Sequence, residues 1–237
     1  MEHIYAIKRR EKAMTKGIEI MDVGGVNCYL LEADDGFILI DTGFPTKRKF
    51  LDEALKKTLN KQGGVPKKLK LIILTHGDSD HVGNSKFLRE KYDAKIAMHF
   101  EDSKMVENGD MTWNRKKNPD KLSFIFKFVI FAFGKNSVFE TFTPDIYFQD
   151  GQNLAEFGLD ARVIHLPGHS KGSLGVLTKD GDLFCGDLLY NFVGFTYIDN
   201  LEDHNESMDK LKKMDIKLFY PGHGKPFSIK RFIAMSL

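Results

Sequence analysis

Ten consecutive residues constrain this chain more than any other stretch. Thr75-His76-Gly77-Asp78-Ser79-Asp80-His81-Val82-Gly83-Asn84 places two imidazoles and two carboxylates within six positions. The string begins where an apolar run, Leu69 to Leu74, ends, and it leads into a helical pattern, Asn84 to Tyr92. A turn between strand and helix can aim alternate side chains into one space, and His with Asp is a donor set for borderline and hard divalent cations. The same string also fits a plain helix start, with Asp78, Ser79 or Asp80 as the cap and the histidines exposed. Both readings need a strand before the loop and a helix after it.

The flanking sequence supplies that alternation. Gly17 to Val23, Val26 to Leu31 and Phe37 to Ile40 read as an antiparallel meander around the Asp34-Asp35-Gly36 turn. Thr46 to Asn60 reads as a helix with Thr46 as N-cap, Phe50, Ala54 and Leu55 at helical spacing, and Gly63-Gly64 beyond its end. With Leu69 to Leu74, Asn84 to Tyr92 and Ala94 to Met98, this gives a β-α-β-α-β arrangement. After residue 144 short strands resume at Asp145 to Phe148, Ala161 to Leu166, Leu174 to Thr178, Leu183 to Cys185 and Leu218 to Tyr220, with a helix over Asn205 to Met214. The second half is expected to repeat the antiparallel style of the first. With no low-complexity stretch or Pro/Gly/Ser linker, residues 1–237 read as one domain carrying an insertion over about 102–144.

Composition excludes several classes. At 42% hydrophobic residues in 237, the chain can fill a core, and 35 Lys+Arg against 33 Asp+Glu leaves a net charge of +2, which argues against a polybasic nucleic-acid binder. Cys28 and Cys185 cannot make a disulfide framework and are expected to be buried structural thiols. The first twenty residues lack the apolar stretch of a signal peptide, and no run approaches eighteen apolar residues without a charge. A cytoplasmic protein without a transmembrane segment is the expectation.

Three more polar turns each follow a predicted strand: Pro167-Gly168-His169-Ser170, Gly186-Asp187 and Pro221-Gly222-His223-Gly224. Glycine beside each candidate ligand permits a tight backbone where a side chain would block approach to an ion. Together with Asn27-Cys28-Tyr29-Leu30 and Leu39-Ile40-Asp41-Thr42-Gly43, the order and spacing resemble the metallo-β-lactamase superfamily, whose hallmark is an H-x-H-x-D-H loop followed by a distant His, an Asp or Cys, and a final His. The resemblance runs from the early strands to His223 and leaves out only the insertion. It implies an α/β fold, a four-layer αββα sandwich, here with an aromatic-rich helical insertion. It also implies two divalent metal ions. His76, Asp78 and His169 would hold one, and Asp80, His81 and His223 the other, with Asp187 bridging and a hydroxide between. Asp80 would also act catalytically, orienting that hydroxide or taking its proton.

Asp78 departs from the family pattern, which has histidine there in most members. Two divalent ions, one hydroxide and three ionised carboxylates then sum to a formal charge of zero, one unit below the histidine form. The extra carboxylate hardens the first site, so iron or manganese competes with zinc for it. It also resembles the di-iron flavoprotein branch of the superfamily, which has Glu there. The function this supports is metal-dependent hydrolysis of an ester, thioester or lactone in a small, partly apolar molecule. The alternatives are di-iron or mono-iron redox chemistry and phosphodiester hydrolysis.

Other residues fit weaker readings. Ser170, Asp187 and His223 occur in the order of an α/β-hydrolase triad, but the run after Ser170 is β-rich, whereas a nucleophile elbow must open a helix. His165, His99 and His204 read as satisfied core histidines, and His3 as exposed. Tyr190 stands three residues after Asp187 and is a candidate donor to a substrate oxygen. Lysines 56, 57, 61, 67, 68 and 70 read as a solvated surface rather than a nucleic-acid site. In the insertion, Phe124, Phe128 and Phe131 share a helical stripe that is expected to be a lid or wall of a greasy substrate cleft, with a homodimer contact, plain core or contact with a membrane surface as the alternatives.

Overall fold

The computed structural model describes residues 17–60, 68–124, 138–191 and 196–235. Strands β1 Ile18–Asp22, β2 Asn27–Ala33 and β3 Gly36–Ile40 form the expected antiparallel meander. Helix α1, Arg48–Leu59, then leads to β4, Lys68–Ile73. Helices α2 Ser79–Val82 and α3 Ser85–Tyr92 lead on to β5, Lys95–His99. β3, β4 and β5 pair in parallel, as helical crossovers require. Helix α4, Ser103–Asn108, and the two-residue strand β6, Lys121–Leu122, follow.

The next strand, β7 Ile146–Phe148, pairs in parallel with β5 and completes a six-stranded sheet of order β1-β2-β3-β4-β5-β7. This corrects the expectation that Asp145 to Phe148 opens the antiparallel second half. A three-residue apolar run has no local signal for its partner, and the Ala97–Ile146 register is set only in three dimensions.

The second sheet holds β8 Ala161–His165, β9 Leu174–Thr178, β10 Asp182–Gly186, β12 Leu218–Pro221 and β13 Phe227–Ser228, in the order β13-β12-β10-β9-β8. β8 and β10 both run antiparallel to β9, and β12 runs parallel to β10. The C-terminal ends of β8, β10 and β12 therefore emerge at one edge. Strand β11, Tyr197–Ile198, pairs with β6 in a small separate ribbon.

Three apolar clusters account for the layering. Between the sheets, Tyr29, Leu31, Ile38, Ile40, Leu71 and Ile73 of the first meet Val163, Val176, Phe184 and Tyr220 of the second. The other face of the first sheet is covered by Leu51, Leu55 and Leu59 of α1 and Leu88 of α3. The outer face of the second is covered by Leu211 of α5, Leu201–Lys212, and Phe232 of α6, Ile229–Met235. Strand residues alternate between faces, so each sheet feeds two of these clusters, and the result is the αββα sandwich.

Several local expectations change. Thr46 does not cap α1; Pro45–Lys47 make one 3-10 turn, and the helix starts at Arg48 without a side-chain cap because Pro45 fixes the backbone first. The buried stripe of α1 is Leu51, Leu55 and Leu59, one residue out of step with Phe50, which is 54% exposed. Asp52, also buried, accepts from Lys91 Nζ at 2.6 Å and Tyr92 Oη at 2.8 Å and so ties α1 to α3. Helix α5 begins four residues earlier than expected because Asn200 Oδ1 accepts from the Glu202 and Asp203 amides. β13 and α6 lack a sequence signal strong enough to have been anticipated.

The insertion is not a separate excursion at its ends. Met105 and Val106 of α4, and Phe139 and Phe142 near its other end, are buried, and the last three join the helix-covered face of the first sheet. Phe128 and Phe131 lie outside the described residues. Phe124 is 84% exposed. Among the described residues no helix is long and apolar enough to cross a membrane.

Candidate metal centre

Four loops deliver the polar residues picked out in the sequence. Residues 75–84 follow β4 of the first sheet, while residues 167–173, 186–187 and 221–223 follow β8, β10 and β12 of the second. Backbone and side-chain hydrogen bonds join the two sheets at this edge. Leu174 N donates to Thr75 O at 2.8 Å, Asn27 N donates to Gly222 O at 2.8 Å, and Tyr29 Oη donates to Pro221 O at 2.5 Å.

The seven side chains converge. His76, Asp78 and His169 form one group, Asp80, His81 and His223 a second, and His76, His81 and Asp187 a third that overlaps both; within each, the ligand atoms lie within 4.8 Å of one another. Asp187 reaches His81 Nε2 through Oδ1 at 3.4 Å and His223 Nε2 through Oδ2 at 3.4 Å. Gly222 is required here, because a Cβ at that position would stand 2.2 Å from Asp187 Oδ1 and 2.7 Å from the His81 ring.

Every histidine of the cluster is held by its Nδ1. His81 Nδ1 donates to Asp41 Oδ2 at 2.8 Å and His223 Nδ1 to Gly25 O at 2.8 Å. His169 Nδ1 donates to Tyr197 O at 3.3 Å, and His76 Nδ1 faces Thr75 Oγ1 at 3.0 Å, whose own proton goes to Asp41 Oδ2. A neutral ring so placed carries its proton on Nδ1 and offers the Nε2 lone pair to the shared space. Buried His76 Nε2, His81 Nε2 and Asp187 Oδ1 have no hydrogen-bond partner among the described residues. Neutral His169 directs its Nε2 at Asp78 Oδ2, 3.0 Å away, two acceptors that only a proton or a cation between them reconciles. These donors fit divalent cations.

Electrostatics follow from the crowding. Burial works to lower the His223 pKa, but the carboxylates of Asp187 and Asp80 outweigh it and raise it to about 10. Burial likewise opposes the charged form of His81, and Asp187, Asp80 and Asp41 override it to raise that pKa well above the usual value. Asp187 is pushed up by burial but held well below the carboxylate range by His223 and His81. Asp80 is lowered in the same way, by His81 and His223. Without a cation the carboxylates therefore favour the protonated form of His81 and His223.

That proton load gives a pH prediction. A histidine whose pKa rises from 6.5 to about 10 on folding contributes stability that is complete below pH 6.5 and lost as the pH climbs through about 10. A cation must displace the same proton, so its contribution grows over that window. Thermal unfolding between pH 6 and 9 is expected to show a falling Tm for the metal-free protein and a growing increment from added zinc. A zinc increment that shrinks with pH would contradict this.

Residues outside the motif hold the cluster in place. Asp41, in a left-handed backbone conformation (φ 59°), accepts from Thr75 N, Thr75 Oγ1 and His81 Nδ1, all at 2.8 Å. Asp102 accepts from Gly77 N at 3.1 Å, Ser170 Oγ at 2.6 Å and Gly172 N at 2.7 Å. Arg115 pairs with Asp78 Oδ1 at 2.9 Å. Sequence reading noted Asp41 only as part of a hairpin and missed the other two. The Thr75 and Asp41 pairing is nonlocal, and Arg115 stands in a polar stretch without periodicity.

The remaining candidates separate clearly. Ser170 Oγ is bound to Asp102 and Ser173 and leads through a turn into a strand, and Asp187 and His223 face each other in the cluster, so no Ser-His-Asp triad forms. Tyr190 Oη donates to Asp187 Oδ2 at 3.1 Å and lies 3.2 Å from His169 Nδ1, which makes it a brace for both. His99 and His165 are not core residues; half-buried, they stack with ring centroids 4.0 Å apart. His204 is half-buried on α5, and burial takes its pKa down to about 4. His3 lies outside the described residues. Cys28 and Cys185 are buried in separate apolar clusters, as expected. Of the lysine cluster, Lys56 pairs with Asp52 and Lys70 with Asp35, while Lys61 and Lys67 lie outside the described residues.

A sandwich with polar loops of this kind at one edge defines a class, and the comparisons identify it. The sequence profile of the metallo-beta-lactamase superfamily matches residues 21–223, and the chain belongs to that superfamily. It is 30% identical over 203 residues to a hydroxyacylglutathione hydrolase of Francisella philomiragia, covering 82% of this chain and 61% of that one. It is 27% identical over 230 residues to a beta-lactamase-like protein 2 homolog of Caenorhabditis elegans, covering 94% of this chain. The chain spans 60% to 65% of the length of that protein and its fly counterpart. An archaeal metallo-beta-lactamase superfamily protein from Sulfolobus tokodaii superposes with a TM-score of 0.68 at 21% identity, over 93% of this chain and 84% of that one.

Proposed function

We propose that this protein is a metal-dependent hydrolase that cleaves a thioester, ester or lactone bond in a small, partly apolar molecule. The observation that carries the reading is the convergence of seven His and Asp side chains from four loops, with buried Nε2 and carboxylate atoms aimed at a common space. His76, Asp78 and His169 would hold one divalent cation, Asp80, His81 and His223 the other, and Asp187 lies where it can serve both. Bound there, such ions supply ionised water at neutral pH and an electrophile for a carbonyl oxygen.

The protein's own groups do the rest. Asp41 and the Gly25 carbonyl fix the His81 and His223 rings, so their Nε2 atoms need no reorganisation on loading. Asp80, held ionised and 21% exposed, stands 3.3 Å from His223 Nε2 at the accessible side, where it can orient a water and take its proton. Tyr190 keeps Asp187 and His169 in register. Lys121 and Leu122 of the insertion pair with Ile198 and Tyr197, and the Tyr197 carbonyl holds His169, which supports a role for this end of the insertion beside the reaction space.

Thioesters head the substrate classes because the relatives include hydroxyacylglutathione hydrolases from Francisella and from Haemophilus influenzae and an acyl carrier protein thioesterase from Aspergillus fumigatus. Zinc is the expected metal, with iron or manganese the alternatives that Asp78 raises. Elemental analysis of protein purified without chelators, followed by panels of acyl thioesters, esters and lactones, tests the reading. About two zinc ions per chain and thioester turnover are the expected result. Iron with dioxygen consumption and no hydrolysis would overturn it.

A further inference from the structure

Asp78 is the one ligand position at which this chain departs from its family, and the structure shows what stands beside it. Arg115 comes from the insertion, one residue after Asn114, whose left-handed backbone (φ 60°) turns the chain inward. Its side chain is 11% exposed, and Nη2 lies 2.9 Å from Asp78 Oδ1 in an ionic contact. The guanidinium rests over the Tyr197 ring, 5.1 Å from its centroid. The next residue is anchored too, with Lys116 N donating to Asp199 Oδ1 at 2.9 Å.

The two oxygens of Asp78 thus divide their work. Oδ1 faces Arg115, while Oδ2 faces His169 Nε2 at 3.0 Å and His76 Nε2 at 3.5 Å. Burying a guanidinium next to a space built for cations is costly unless an anion balances it, and a buried carboxylate in turn needs a cation. Each supplies what the other needs. The formal charge that Asp78 removes relative to a histidine is restored by Arg115.

We propose that Arg115 and Asp78 act as one unit that replaces the neutral histidine usual in this family, with Arg115 a positioning residue that turns Asp78 Oδ2 toward the first metal position and resets its net charge. The inference rests on the two-metal reading. It makes the pair interdependent: Asp78→His alone leaves Arg115 beside the first metal position without its own counter-charge, whereas removing both restores a neutral ligand.

A double-mutant cycle on the full chain tests this, with zinc affinity read by competition against a chromophoric chelator and stability read by thermal unfolding of the metal-free protein. Asp78→His is expected to weaken zinc at one position by at least about tenfold, and addition of Arg115→Met to recover most of that loss. Arg115→Lys, which keeps the charge, is expected to bind zinc within a few-fold of the wild type. A structural role alone would make the two losses additive, so a double variant weaker than Asp78→His overturns the proposal while two-zinc binding by the wild type stands. Wild-type protein that binds no zinc overturns the metal reading and the proposal together.

Discussion

Replacing Asp187 with alanine is expected to empty both metal positions and abolish hydrolysis, while His223→Ala empties mainly one. Asp187 lies 3.4 Å from His81 Nε2 and from His223 Nε2 of the second group, and its grouping with His76 and His81, ligand atoms within 4.8 Å of one another, brings it to the first group as well. Loss of an outer partner of a metal ligand already weakens binding by about 10- to 100-fold, so loss of a shared ligand should cost at least about 100-fold at both positions. Removing His223, whose Nε2 belongs to only one group, should lower zinc from about two to about one per chain. Elemental analysis of dialysed variants distinguishes the cases. Retention of one tight zinc by Asp187→Ala would remove Asp187 from the bridging position.

Asp102→Ala should produce the largest loss of stability. The carboxylate is 1% exposed and accepts three hydrogen bonds, from Gly77 in the first ligand loop and from Ser170 and Gly172 in the second. Alanine leaves the buried Gly77 and Gly172 amides without an acceptor and the Ser170 hydroxyl with Ser173 alone, a cost of about 3–5 kcal/mol and a drop in Tm on the order of 10 °C. Asparagine is not a mild substitute, because every partner is a donor and its NH2 group must face one of them. Since Asp102 ties loops from different sheets, zinc affinity should fall together with Tm. A variant with normal Tm and normal zinc binding would show that this brace is dispensable.

The candidate ligands were legible before the fold because each stands at the end of a predicted strand, and the family resemblance gathered them into one set. Leu69 to Leu74, Ala161 to Leu166, Leu183 to Cys185 and Leu218 to Tyr220 are apolar runs that stop at glycine-bearing turns, and each turn carries its histidine or aspartate within a few residues. What could not be read were partners separated in the chain. Asp41 and His81, Asp102 and Gly172, and Arg115 and Asp78 meet only because two sheets bring their edges together. Arg115 stands in a polar stretch with no local signal of its partner, so the charge balance drawn from Asp78 alone omitted it.

The sequence by itself determined the local elements and the chemistry at their ends. The meander, the α/β alternation and the four polar turns follow from spacing along the chain, where neighbouring residues are fixed by covalent geometry. The tertiary structure decided which strand belongs to which sheet, as β7 shows, and which groups hold the ligands still. It also placed a guanidinium against Asp78, the one residue of the motif that departs from the family pattern. Those outcomes depend on packing two sheets face to face, a condition in which residues distant in sequence must satisfy one another's buried charges and hydrogen bonds.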